Sequence, residues 1–420
     1  MHRTVFIIIG LAAAGQAISY LLMILLARQL GIAGFEAYAV GAAVFILMVA
    51  VAPCGVDKCA IRIVPALLVR NEWSLALGFL KFGARRILLA AIGLAVAVGA
   101  GVWWWGGIPE GTRAAVMVSC LALPAGALAH FGLEALAAIG REVLAATILR
   151  VGVPLVVLGI VALLLAALPD LSGAMAIAAW TIAWLATLPV LLIAIRRALP
   201  LAFWRAPATE RASEWSGEAS LFWGHRIAMA LMAQSGVIAL ELLQSSPVAV
   251  GAYAAALATT SPALVLVTAT NRVFARRLSI HLEQRDMTAL IELRRMRLRW
   301  VVPTVVVFLV VCVVFAEDII GLFGAAFVED GVTPLRLLAA ATGFSMVFAL
   351  SPTYLKHTQQ RGATLWTVVA AAAAQLVLLG ALVPSLGATG AALAFAISTV
   401  GLYGAFAVLA WLDWSRLKAV

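Results

Sequence analysis

Residues 143–167 read VLAATILRVGVPLVVLGIVALLLAA, a run with one charge, Arg150, and no alternation of apolar and polar side chains. A helix rises about 1.5 Å per residue, so such a run outspans the roughly 30 Å hydrocarbon core of a bilayer. Residues 5–27 form a second run of the same kind. Both exclude an outer-membrane barrel, whose strands would show segments of about ten residues alternating in polarity. The rest of the chain agrees. Its 420 residues are 65% hydrophobic and 11% charged, with a mean hydropathy of +1.09; soluble domains run at about 45–50% and about 25%. At roughly 20 apolar residues per crossing, this composition supplies about a dozen helices and little besides. The sequence predicts an all-α, polytopic membrane protein.

Charge and turn residues divide the chain into twelve predicted spans, at 4–27, 37–56, 86–105, 114–138, 143–167, 173–195, 219–243, 248–271, 299–316, 334–355, 363–383 and 388–412. Breaks fall at Gly106-Gly107-Ile108-Pro109, Leu168-Pro169-Asp170, Ser245-Ser246-Pro247 and Val383-Pro384-Ser385-Leu386-Gly387. The first apolar run is about twice the length of a signal-peptide core, so it reads as an uncleaved span. Cytoplasmic loops retain Lys and Arg. Of the 29 such residues, 24 fall on one side when the N-terminus is inside, and only Arg28 and Arg113 on the other. This predicts an inner-membrane protein with both termini cytoplasmic. The formal charge of +10 then reports topology and contact with anionic lipids, above all along the basic stretch 272–298, and not nucleic acid, for which no reader module has room.

Two halves are predicted: an N-terminal six-helix lobe at 1–195, a cytoplasmic linker at 196–218 carrying Pro200, Pro207, Ser213 and Ser216, and a C-terminal six-helix lobe at 219–420. Glu36-Ala37-Tyr38-Ala39, opening span 2, resembles Gly251-Ala252-Tyr253-Ala254, opening span 8, and Arg141 between spans 4 and 5 matches Arg361 between spans 10 and 11. Equivalent spans thus run in the same direction, as in a parallel repeat about the membrane normal.

No catalytic constellation emerges. His2, His130, His225, His281 and His357 are dispersed, no H-E-x-x-H or G-x-S-x-G occurs, and Cys54, Cys59, Cys120 and Cys312 lack metal-ligand spacing. No metal site is expected. A membrane glycan polymerase or ligase would need a sizeable outer loop, and the longest here is 317–333. Ionisable residues within spans are more informative, because each costs several kcal/mol unless it meets water or a partner. Arg150 in span 5 and Arg226 in span 7 could snorkel to the inner headgroups or grip phosphate oxygens from a cytoplasm-facing cavity. Arg28, Arg62 and Arg272, at span ends, would extend that surface. Glu134, near His130, and Glu241 are candidates to carry a coupling proton or sodium ion. Asp57 reads as the local partner of Lys58. Prolines at 124, 154, 189, 262, 303 and 352 would permit kinks.

Ala27-Arg28-Gln29-Leu30-Gly31-Ile32-Ala33-Gly34-Phe35-Glu36-Ala37-Tyr38 resembles the A-R-x-L-G-x-x-x-F-G-x-Y junction of bacterial oligosaccharide (O-antigen-type) flippases. Gly55-Val56-Asp57 through Arg62 to Pro65 resembles their G-L-D-x-x-x-x-R-x-x-P segment. Val250-Gly251-Ala252-Tyr253 and Leu322-Phe323-Gly324-Ala325-Ala326-Phe327 are similar to their second-half motifs. The resemblance implies the multidrug/oligosaccharidyl-lipid/polysaccharide exporter superfamily, with two six-helix lobes around a central cavity. It implies flipping of an undecaprenyl-pyrophosphate-linked oligosaccharide from inner to outer leaflet, for O-antigen, exopolysaccharide or capsule biosynthesis, by ion-coupled alternating access. Arg28, Arg62 and Arg272 inherit a pyrophosphate-binding role from it, the partners would be the polyprenyl-linked glycan and the pathway's polymerase and glycosyltransferases, and a monomer is expected. The alternative is a cation-coupled multidrug exporter of the same superfamily, whose cavity would be acidic and aromatic. Two departures stand out: Gln234-Ser235-Gly236 occupies a region of span 7 that is acidic in many relatives, and Phe35-Glu36 replaces Phe-Gly.

Overall fold

The computed structural model describes the backbone of residues 2–243, 246–284, 286–358 and 361–419, and their side chains except at 2–6, 218, 221, 264–273, 275–277, 279, 287, 356–357, 361 and 415–419. Among the described residues there is no strand. The long helices are α1 (His2–Val51), α3 (Trp73–Trp104), α4 (Glu110–Ala138), α5 (Glu142–Ala167), α6 (Gly173–Ala198), α8 (Ala212–Leu242), α9 (Pro247–Glu283), α10 (Met287–Val314), α12 (Val328–Phe348) and α14 (Arg361–Ala419). Shorter helices intervene: α2 (Val56–Val69), α7 (Leu201–Arg205), α11 (Ala316–Gly321) and α13 (Ser351–His357).

Twelve crossings follow from lengths. Helices α1 and α14, at 50 and 59 residues, would be roughly 75 and 90 Å long if straight, far more than a bilayer needs. Each is broken once, at Gly31 (φ 65°) and Gly387 (φ 51°). Only glycine takes that left-handed conformation at little cost, so each helix is two spans joined by a one-residue turn. Eight helices of the described residues are long and apolar enough to cross a membrane; counting α1 and α14 twice makes ten, and α8 and α9, long but less uniformly apolar, complete twelve. The spans open where the sequence offers caps: Ser172 Oγ accepts from Met175 N–H (3.3 Å), Ser246 Oγ from Ala249 N–H (3.2 Å) and Asp286 Oδ1 from Ala289 N–H (2.9 Å).

Several expected boundaries are corrected. The inner segment 57–85 is helical over most of its length, because α3 starts at Trp73, thirteen residues before the apolar run proper. Its basic residues ride on helix that extends beyond the bilayer. The same holds for 272–298, where α9 runs to Glu283 and α10 starts at Met287. Span 10 ends at Phe348, and Pro352 begins α13 instead of kinking a helix interior; proline suits a first turn, where its missing N–H costs nothing.

The chain divides into two compact units, Met1–Gln234 and Ser235–Val420. The division lies inside α8, not in 196–218. That stretch is held to the first unit instead. Phe203 of α7 is fully buried with Ala76 and Leu77 of α3, Thr209 N–H donates to the Ser74 carbonyl (3.0 Å), and Trp215 meets Phe79 edge-on at 5.3 Å. Arg85 pairs with Glu210 at 2.9 Å, and Arg86 donates to Ser216 Oγ.

Helix α5 carries a π-turn at Ile148–Gly152, where Val153 N–H reaches back to the Ile148 carbonyl. Its cause lies in the sequence: Pro154 has no N–H to offer the Arg150 carbonyl four residues earlier, and its ring crowds that carbonyl out of the ladder. The displaced carbonyl lies against Gly15 of α1, so closely that a Cβ on Gly15 would collide with it. Gly15→Ala is therefore expected to push α1 and α5 apart and destabilise the first unit by about 1–3 kcal/mol. Gly10→Ala, one helix face away with open space around it, should leave detergent-solubilised melting unchanged. Equal melting of the two variants would refute the close approach.

Candidate functional site

The charged cluster of the first unit is built on α2, with Asp57 buried and Lys58 exposed. Asp57 and Lys58 are neighbours in sequence, yet consecutive residues on a helix diverge by about 100°. They do not pair locally, contrary to the sequence expectation. Lys58 pairs with Glu134 of α4, and Asp57 with Arg226 of α8. Asp57 is 1% exposed; its Oδ2 receives the Arg226 guanidinium, while Oδ1 has no hydrogen-bond partner among the described residues. Arg226 also donates to the Val49 carbonyl at 3.2 Å, and Trp223, one turn earlier, donates its indole N–H to the Val51 carbonyl at 2.8 Å. These carbonyls lie at the end of α1: that of Val51 also accepts from Cys54 N–H at 3.1 Å, whereas Pro53 cannot supply an N–H to Val49. A cation at a helix C-terminus is additionally favoured by the peptide dipoles. Local backbone chemistry and one buried carboxylate thus fix the Arg226 guanidinium from two sides.

Beside this pair stands an aromatic column. His130 lies one turn before Glu134 on α4, close enough for the charges of Arg226, Asp57 and Lys58 to act on it. Its Nδ1 is 2.8 Å from the Gly126 carbonyl; a carbonyl only accepts, so Nδ1 carries the hydrogen and Nε2 is the free position. The ring packs on Trp184 at 4.8 Å. Trp184 stacks with Phe45 and Trp180, each at 6.5 Å, and Trp180 Nε1–H donates to the Tyr38 hydroxyl at 3.2 Å. His130 thus joins the ion-pair end of α4 to a run of four aromatic rings, of which Trp184 and Tyr38 are buried.

Of the residues singled out in the sequence, the structure brings Arg226 and Glu134 into this cluster. Arg28, Arg62 and Arg150 are exposed, on α1, on α2 and on the π-turn. The Arg272 side chain lies outside the described residues. Glu241 is buried in the second unit. Two features were missed in the sequence. Asp57 is the partner of Arg226, 169 residues away, beyond any search for a countercharge one turn off. In the second unit, Gln375 Nε2 donates to Ser235 Oγ at 3.0 Å, both buried, so a neutral amide–hydroxyl pair occupies the span 7 region where an acid was noted as absent.

This all-α arrangement of twelve crossings in two six-helix sets is the fold of a class of membrane transporters. An inward-facing multidrug resistance MATE family transporter of the MOP superfamily is similar at a TM-score of 0.72, over 99% of both chains and at 14% identity. A MATE transporter of Vibrio cholerae is similar at 0.66 and 16% identity, over 100% of this chain and 97% of the other. A MOP superfamily transporter of Pyrococcus furiosus, described by the reverse polarity of its binding pocket, is similar at 0.67 and 14% identity, over 99% and 96%. No protein-family model matches the chain, and no curated protein matches it. At these identities the likeness shows the fold alone, that of MATE-type transporters, with the many apolar spans of a multi-pass membrane protein.

Proposed function

We propose that the protein is a cation-coupled exporter of amphipathic organic solutes, working by alternating access in the inner membrane with both termini in the cytoplasm. The observation that carries this reading is that the guanidinium of Arg226 is answered by the buried carboxylate of Asp57, with the more exposed Lys58–Glu134 pair and the His130–Trp184 contact nearby on α4 and α6. Stacking rings next to carboxylates suit a flat organic cation, whereas a pyrophosphate would need guanidinium groups whose charge is not already answered. The fold shared with multidrug transporters supports the same reading. The Asp57–Arg226 pair joins Glu134 and Glu241 as a coupling candidate, because protonating Asp57 would release the guanidinium from it.

The second reading is a flippase for a polyprenyl-pyrophosphate-linked oligosaccharide. It is favoured by the flippase-like motifs and by the presence of three exposed arginines, Arg28, Arg62 and Arg150, each with interactions of its own, on the first unit. Fold likeness does not choose between cargoes, since one of the similar transporters is described by a pocket of reverse polarity.

One experiment separates them. The purified protein is reconstituted into vesicles, a proton or sodium gradient is imposed, and two cargoes are followed: a fluorescent organic cation, and a fluorescent polyprenyl-pyrophosphate glycan whose outer-leaflet exposure is read by a quencher. The exporter reading expects gradient-dependent movement of the dye and none of the glycolipid. Glycolipid flipping without dye transport would overturn it in favour of the flippase.

A further inference from the structure

At one end of the first unit, α5 and α6 leave a groove of about 390 Å³ between them, within the roughly 300–1,000 Å³ of sites that hold small ligands. Its lining is of two kinds. Arg141, just before α5, and Arg197, in the last turn of α6, provide two guanidinium groups; Leu144, Val190, Ile193, Ala194 and Ala198 provide apolar walls. Leu144, Val190 and Ile193 are 42%, 50% and 51% exposed among the described residues, so the walls open outward. Neither arginine belongs to an ion pair among the described residues, and Glu142, next to Arg141, is not part of the lining. Both arginines lie on the side that carries most of the chain's basic residues, the side proposed above to face the cytoplasm.

A soluble anion would be met by the arginines but not by walls of leucine, valine and isoleucine. A bare acyl chain would be met by the walls but not by two charges. A molecule with a phosphate at headgroup depth and a hydrocarbon chain below it satisfies both, because basic pockets between spans on the cytoplasmic side select anionic headgroups. We infer that this groove is a binding site for an anionic phospholipid of the inner leaflet. Its phosphate bridges Arg141 and Arg197, and one acyl chain lies along Leu144, Val190 and Ile193. The lipid would tie the start of span 5, two turns before its π-turn, to the end of span 6. The inference rests on the proposed orientation and not on the cargo, so it stands or falls apart from the exporter reading.

The test uses the full-length protein in neutral phosphatidylcholine nanodiscs, titrated with spin-labelled phosphatidylglycerol. Losing two juxtamembrane charges is expected to weaken the immobilised component roughly thirtyfold in an Arg141→Gln/Arg197→Gln variant, at about fivefold per arginine. Ala194→Trp, which keeps both charges and fills the groove, should remove the immobilised component as well. Arg196→Gln, outside the lining, should change it far less. Melting temperatures of all four proteins confirm folding. Unchanged labelling in the double variant overturns the site. Loss in the double variant with full binding in Ala194→Trp also overturns it, since it would mean surface attraction without occupancy of the groove. Displacement of the label by millimolar inorganic phosphate would assign the arginines to a soluble anion and overturn the lipid.

Discussion

Asp57→Ala is expected to abolish gradient-driven transport and to destabilise the protein by about 3–5 kcal/mol, the usual consequence of stripping a buried charge of its partner. The Arg226 guanidinium would remain against the Val49 carbonyl, with 21% of its side chain exposed, too little solvent to replace a carboxylate. Arg226→Ala should be as damaging, since it strands the Asp57 carboxylate, 1% exposed, with neither oxygen answered. The informative variant is the double one. Asp57→Asn/Arg226→Gln removes both charges together while keeping polar groups of similar size, so most of the lost stability should return. Transport should not, if the pair carries the coupling proton. The two readouts separate a structural clasp from a coupling site. Melting in detergent reports the first, and the ratio of dye transport with and without a pH gradient reports the second. Restored stability together with restored gradient dependence would leave the pair structural and return the coupling role to Glu134 or Glu241. A double variant no more stable than either single one would refute the pairing itself.

The membrane-spanning architecture was legible because it is written in composition and run length, which no tertiary detail overrides. The joint at Gly387 was legible in the turn residues Val383–Gly387, whereas that at Gly31 showed only as a gap between two predicted spans. What could not be read was the pairing of charges. Asp57 looked committed to Lys58 by adjacency, but helix geometry turns adjacent side chains apart, and each found a partner on another helix. Arg226 looked unanswered because its countercharge lies on α2. The stretch 196–218 looked like a free linker from its prolines and serines; the aromatic residues Phe203 and Trp215 that dock it against α3 were present in the sequence but carry no period in so short a segment. The π-turn is an intermediate case, since Pro154 foretold a disturbed ladder at Arg150 but not the form it took.

Arg297→Met is expected to destabilise the second unit by about 3–5 kcal/mol, the other large effect. In the sequence Arg297 is one of a crowded basic series with Arg294, Arg295 and Arg299. The structure sets it apart. Leu290, Leu293, Arg297, Val301 and Val305 fall three or four residues apart on one face of α10, and all five are buried. Val301 and Val305 pack with Ala263 and Met346. Arg297, at the end of that apolar seam and 2% exposed, donates Nη1 to the Val347 carbonyl and Nη2 to the Met346 carbonyl, each at 2.8 Å. Those carbonyls belong to the last turn of α12, which ends at Phe348, where backbone acceptors outnumber helical donors and the dipole favours a cation. The planar guanidinium satisfies two acceptors with one side chain; an ammonium is a single point charge on a flexible stem. Lysine at 297 should therefore recover about half of the loss, and methionine, which keeps the apolar stem but strands both carbonyls, almost none. Arg294→Met and Arg295→Met, on the exposed face, should change stability by less than about 0.5 kcal/mol. Unfolding followed in detergent for the four variants checks the order. If methionine at 297 were tolerated as well as at 294, the guanidinium would not be closing the end of α12, and its burial would need another cause.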